Sequence, residues 1–176
     1  MPRFAVVDIE CTGSKFPAHR LMEFGVVYHD GQRITGGWEQ LVNPGMPIPE
    51  FVSRMTGISQ EMVAEAPPFG QIARTLHQAL EGCVFVAHDA SFDYRFVQNE
   101  LRAVGIHYEA DRLCTLSLSR LLLPEEPSYS LGKLCRSLGM PTENRHRAAG
   151  DAYLTAQLFG VLFPLMDDWR SGLISG

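Results

Sequence analysis

The chain opens on a short apolar, β-branched run, Arg3 to Asp8 (RFAVVD), which predicts a buried strand with a carboxylate at its end. A second apolar run, Leu21 to His29, predicts another strand. Asp30-Gly31 then turns the chain into Ile34 to Val42, and Asn43-Pro44-Gly45 breaks the pattern, giving three antiparallel strands in succession. Short helices are expected around Met55-Thr56-Gly57-Ile58, and Pro67-Pro68 opens a longer helix through about Leu80, ended by Gly82. The continuous apolar run Cys83 to Ala87 predicts a central buried strand.

A helix from about Ser91 to Val104 follows, with Ser91 as its expected N-cap. A short strand near Leu113 to Thr115 leads into a helix to about Leu122. Two further helices cover roughly Ser130 to Leu138 and Ala148 to Leu162, with Gly139 to Arg147 between them and a short polar tail after Pro164. Strands and helices alternate, so the expected class is α/β, with helices packed on a mixed sheet.

Composition narrows the class. The 176 residues, 45% of them hydrophobic and 20% charged, suit one globular domain over residues 1–176 and exclude a disordered or fibrous chain. A net charge of −5 argues against a broad basic face that coats nucleic acid, yet leaves room for a small site in which metal ions supply the positive charge. Cys11, Cys83, Cys114 and Cys135 fall at scattered spacings without a CxxC pair, as expected of reduced thiols in a cytoplasmic protein. Neither a signal-peptide pattern nor an apolar run of membrane-spanning length stands out, so no membrane partner is expected.

Three segments carry candidate chemistry. Asp8 and Glu10 are two apart, which on a strand places both carboxylates on one face, where they repel unless a cation or a proton intervenes. Asp93 falls in HDASFDYRF, in the first turn of the helix after the Cys83 to Ala87 strand, a position that helix dipoles also favour; Phe92 and Phe96 there are at core spacing. His146 precedes Asp151 by five residues, about 500° of helical turn, so the two cannot share a face of one helix. His146 is therefore placed on the preceding loop.

Taken together, FAVVDIECTG (Phe4 to Gly13), VFVAHDASFDYRF (Val84 to Phe96) and HRAAGD (His146 to Asp151) resemble the three motifs of the DnaQ-like exonucleases of the DEDDh type, which include the proofreading epsilon subunits of bacterial DNA polymerase III. MTGIS (Met55 to Ser59) and YSLGKLCRSLG (Tyr129 to Gly139) resemble connecting segments of the same family, and the likeness spans about Phe4 to Phe163.

The resemblance implies an RNase H-like fold, a mixed five-stranded sheet flanked by helices, and a metal-dependent 3′–5′ exonuclease that releases nucleoside 5′-monophosphates. Asp8, Glu10, Asp93 and Asp151 would hold two divalent cations, Mg²⁺ or Mn²⁺, and His146 would be the general base. The backbone around Cys11, Thr12 and Gly13 would lie near the 3′ hydroxyl, with His88 and Phe92 also near the site, although His88 reads equally well as a structural histidine.

Arg54, Arg95, Arg145 and Arg147 are candidate phosphate contacts, with a solvated surface the plainer reading of each. The implied partners are nucleic-acid 3′ ends, single-stranded DNA favoured, in a replication proofreading or repair-like role. An RNA-trimming enzyme and a non-catalytic binding module are the alternatives. A polymerase partner is possible, although no long docking tail is expected after Phe163. Cys11 stands where many relatives carry Thr, and Asp89 where Asn is frequent.

Overall fold

A computed structural model describes residues 3–142 and 145–174, with side chains as far as residue 166. Five strands, β1 (Arg3–Cys11), β2 (Leu21–His29), β3 (Ile34–Leu41), β4 (Cys83–Ala87) and β5 (Arg112–Cys114), form one sheet in the order β3-β2-β1-β4-β5. The β1–β2 and β2–β3 pairs are antiparallel, while β1–β4 and β4–β5 are parallel. The mixed five-stranded sheet expected from the sequence is therefore present, and the chain has the RNase H-like fold. The central strand is β1, with β4 beside it and still buried. At the β2–β3 turn, Asp30 Oδ1 accepts the Gln32 and Arg33 amides at 2.8 and 2.9 Å, and Gly31 takes a positive φ of 95°.

Strand alternation sorts β1 into two faces. Ala5, Val7 and Ile9 pack with Phe24, Val26 and Phe85 under the helices α3 (Phe69–Leu80) and α4 (Ala90–Ala103). Phe4 and Val6 pack with Val27, Val86, Ala152, Ala156 and Phe159 under the last helix, α7 (Ala148–Ile174). Asp8 and Glu10 continue the Phe4–Val6 series and so share the α7 face. The remaining helices are α1 (Glu50–Thr56), α2 (Gln60–Ala64), α5 (Thr115–Leu122) and α6 (Leu131–Ser137). Gly57, at φ 71°, closes α1 and separates it from α2.

Four local expectations need correction. Strand β1 does not stop at Asp8: its ladder with β2 runs on to Cys11 through a register shift at Glu10/Cys11. Ser91 does not cap α4; the cap position is Asp89, at φ 81°, and the Ser91 hydroxyl donates to Asp89 Oδ1 at 2.9 Å. Asp and Asn tolerate this left-handed conformation better than most residues, which accounts for the residue type at position 89. Gly82 lies one residue beyond the cap of α3, Glu81, in the turn to β4. Finally, α7 passes Pro164 instead of ending there. A proline removes one backbone donor, and this helix is already anchored upstream by the buried Leu158, Phe159 and Leu162.

Candidate metal centre

Strand β1 supplies two acids and α7 a third. One carboxylate oxygen each from Asp8, Glu10 and Asp151 lie within 4.8 Å of one another. Asp151 sits in the first turn of α7, with its amide bonded to the Arg147 carbonyl at 2.9 Å. Asp93, 6% exposed, arrives from the first turn of α4 on the other side of the sheet. It stands outside the close triplet but near enough for its charge to raise the pKa of Asp8. The sequence-expected ligands are thus brought to one place from three elements.

Their protonation equilibria show the cost of that convergence. Burial, then the charges of Asp93, Asp151 and Glu10, hold Asp8 well above the ordinary carboxylate range, with Arg145 opposing. Glu10 is pushed up to about 8, by burial first and then by Asp151 and Glu23, against Arg147 and Arg145. Asp93 is also raised, chiefly by burial, although its own amide and that of Ile9 donate to the carboxylate and pull the other way. Acids that resist ionising side by side become jointly ionisable when a dication lies among them. An all-oxygen donor set matches hard divalent ions, so the residues present fit the implied metal.

The loop before α7 is fastened to the centre by two arginines. Arg145 Nε donates to Asp151 Oδ1 at 2.7 Å, and the His146 amide donates to Asp151 Oδ2 at 3.1 Å. His146 has φ 67° and an exposed side chain outside the acid triplet; its backbone, not its ring, touches Asp151. Arg147 pairs with both oxygens of Glu23, and the Ala148 amide donates to Glu23 Oε2 at 2.8 Å. The sequence reading missed Glu23, which lies opposite Glu10 across the β1–β2 ladder and is 2% exposed. Its signal was a charged residue inside an otherwise apolar strand, LMEFGVV. Gly25, opposite Asp8, completes the seat, because a Cβ there would lie 2.5 Å from the Ala148 carbonyl carbon.

The expected substrate contacts divide. Cys11, Gly13 and Phe92 line an apolar cleft of about 390 Å³ beside Glu10, walled also by the exposed Phe51 and Met55. Thr12 is fully buried and occupied internally: its amide donates to the Arg20 carbonyl and its hydroxyl accepts the Arg20 amide. His88 is likewise committed, with one ring nitrogen 3.0 Å from the Thr115 hydroxyl and the other donating to the Tyr129 carbonyl at 2.8 Å. Burial accordingly lowers its pKa. Arg54 pairs with Glu50 on exposed helix surface, and Arg145 and Arg147 are held in the ion pairs above. The four cysteines are free thiols. Among the described residues, no helix is long and apolar enough to cross a membrane.

Residues 5–159 match the family model described as Exonuclease, RNase_T. The chain is 32% identical over 163 residues to the 3′–5′ exonuclease DinG of Staphylococcus saprophyticus and 33% identical over 156 residues to that of Staphylococcus epidermidis. These matches cover 92% and 88% of this chain but only 18% and 17% of the relatives, so the chain spans less than a fifth of their length.

Among solved structures, the zinc-bound E. coli exonuclease I–ssDNA complex superposes with a TM-score of 0.86 at 18% identity, over 97% of this chain and 43% of that one. Exonuclease X in complex with 5′-overhanging duplex DNA gives 0.73 at 27% identity, over 96% and 92%. The nuclease domain of 3′hExo, a DEDDh family member bound to rAMP, gives 0.77 at 19% identity, over 94% and 92%. The chain belongs to the Exonuclease (RNase_T) family.

Proposed function

We infer that this chain acts as one exonuclease domain that hydrolyses nucleic acids from their 3′ ends, using two divalent cations, with single-stranded DNA the favoured substrate. The observation that carries this reading is the packing of Asp8, Glu10 and Asp151 within 4.8 Å of one another, with Asp93 adjacent. Asp8, Glu10, Asp93 and Asp151 would hold Mg²⁺ or Mn²⁺, which when bound make hydroxide available at neutral pH and stabilise the departing oxygen.

The protein's own contributions follow from position. The cleft of Phe51, Met55 and Phe92 beside Glu10 offers apolar surface to the terminal base and sugar. Cys11 and Gly13 border the same space, where a 3′ hydroxyl would meet the end of β1. His146 accepts the proton of the attacking water and passes it to solvent, which its exposed ring already meets. Its amide on Asp151 ties the backbone that carries the ring to the centre.

RNA is the second reading, favoured by the 3′hExo nuclease domain bound to rAMP. A time course on a 5′-labelled single-stranded DNA oligonucleotide and its RNA counterpart, with Mg²⁺, Mn²⁺ or EDTA, tests both. A metal-dependent ladder shortening from the 3′ end is expected, and the faster substrate names the sugar. Internal cutting, or no ladder with either metal, overturns the reading.

A further inference from the structure

Helix α6 meets the metal centre through a residue that has no side chain. Gly132, in the first turn of that helix, lies against the Arg145 side chain: a Cβ there would overlap Nη1 and stand 3.1 Å from Cζ and 3.5 Å from Cδ. The same side chain donates through Nε to Asp151 Oδ1 at 2.7 Å. Arg145 is thus held between α6 and the first turn of α7. Among the described residues it is the one cation ion-paired with an acid of the Asp8, Glu10 and Asp151 triplet, since Arg147 and Arg20 are taken up by Glu23 and Glu100.

Whether a side chain at position 132 would move the helix or the arginine is decided by what holds each of them. Ahead of α6, His88 donates from Nε2 to the Tyr129 carbonyl at 2.8 Å, and the Tyr129 hydroxyl donates to the Leu123 carbonyl at 2.8 Å. Along α6, Leu131, Leu134 and Cys135 are buried with Leu154, Leu158 and Leu162 of α7. A helix so packed yields little. The Arg145 guanidinium is the far end of a flexible side chain that is 25% exposed, so it has solvent to turn into. The arginine gives way. Asp151 does not follow it, because the His146 amide still donates to Oδ2 at 3.1 Å.

We infer that Gly132 is a positioning residue of the metal centre: its missing side chain admits Arg145 onto Asp151 and so keeps a resident cation on an acid that would bind metal. The inference rests on the metal-dependent reading above and adds a control on how tightly the ion is held. The resident charge competes with a dication for Asp151 Oδ1, so the residue at 132 sets metal affinity from α6 without touching metal or substrate.

Gly132→Ala, Arg145→Gln and the double variant form a cycle, read by Mn²⁺ titration calorimetry on the metal-free protein. Gly132→Ala is expected to raise Mn²⁺ affinity about three- to tenfold, as Arg145→Gln does, and the double variant to match Arg145→Gln alone. A merely structural defect would lower the affinity and would add to the second change. The metal-free Tm should fall no further in Gly132→Ala than in Arg145→Gln, since alanine suits a helix and both variants lose the same ion pair. Unchanged or weaker binding in Gly132→Ala overturns the positioning role while leaving the exonuclease standing. So does a further gain in the double variant over Arg145→Gln, or a Tm in Gly132→Ala well below that of Arg145→Gln, which would mean that α6 and not the guanidinium has moved. Failure of the wild-type protein to bind Mn²⁺ overturns this inference and the metal-ion reading together.

Discussion

Arg145 Nε donates to Asp151 Oδ1 at 2.7 Å, which places an internal cation on one of the acids that converge with Asp8 and Glu10. The guanidinium also moderates the raised pKa values of Asp8 and Glu10. In the metal-free protein it is a partial counter-ion for the cluster, and an incoming dication has to share or displace it.

Removing that cation is therefore expected to tighten metal binding. Arg145→Gln should raise Mn²⁺ affinity about three- to tenfold, read by calorimetry or by the spin resonance of free Mn²⁺, while lowering the Tm of the metal-free protein. Weaker binding in the variant would show that Arg145 orients Asp151 more than it competes for it.

Stability of the metal-free protein should fall as pH rises. Glu10 titrates near 8 in the folded protein and near 4.5 in the unfolded chain, so between these values the folded state holds the extra proton. Raising pH through that window costs stability; below it the difference vanishes. Thermal melts in EDTA should show a higher Tm at pH 5 than at pH 8, and Mg²⁺ or Mn²⁺ should recover most of the loss at pH 8. A flat profile without metal would contradict the electrostatics of the cluster.

Asp8→Asn is expected to separate activity from stability. It deletes one proposed metal ligand, so metal-dependent hydrolysis should drop at least a thousandfold. It also removes a buried, repelled carboxyl, so the metal-free Tm at pH 8 should rise or hold. Full activity in this variant would rule out Asp8 as a ligand.

His146→Ala tests the proposed base. Hydrolysis at neutral pH should slow by about 10² to 10⁴-fold, with Mn²⁺ affinity unchanged because the contact to Asp151 comes from the backbone amide. An unaltered rate would place the base elsewhere.

Glu23 is expected to matter without touching substrate. Glu23→Ala leaves Arg147 and the Ala148 amide without their partner, at a cost of about 2–4 kcal/mol, measured by denaturant titration. Where the variant is still folded, metal affinity should fall as the first turn of α7, and with it Asp151, loses its anchor. Arg147→Lys, which keeps the charge but not the bidentate grip, should lie between wild type and Glu23→Ala. Wild-type metal affinity in a folded Glu23→Ala protein would reduce the residue to a purely structural part.

Much of the fold was legible in the sequence because its elements differ in period. The run of alternating and continuous apolar segments gave five strands to within a few residues, and the two-residue spacing of Asp8 and Glu10 put them on one face, as found. What escaped depends on contacts between elements. Nothing local distinguishes Asp93, which reaches the centre from a helix on the opposite side of the sheet, from a carboxylate placed there by the helix dipole. Glu23 became interpretable only once Arg147 was seen against it. Thr12 and His88 lie in the same sequence motifs as the acids, yet their polar atoms turn toward Arg20, Thr115 and Tyr129, a choice that tertiary packing makes. The helix beyond Pro164 was missed because proline was read as a terminator.

The seating of α7 on Glu23 and Gly25 has a consequence for biosynthesis. Asp8 emerges with the first strand and Asp151 with the last helix, so a growing chain that has completed the sheet still has an open cluster. Only when Ala148 docks against the second strand are the acids assembled around one point. On the proposed reading, a molecule whose α7 has not docked cannot cut, and hydrolytic competence reports that this helix is seated.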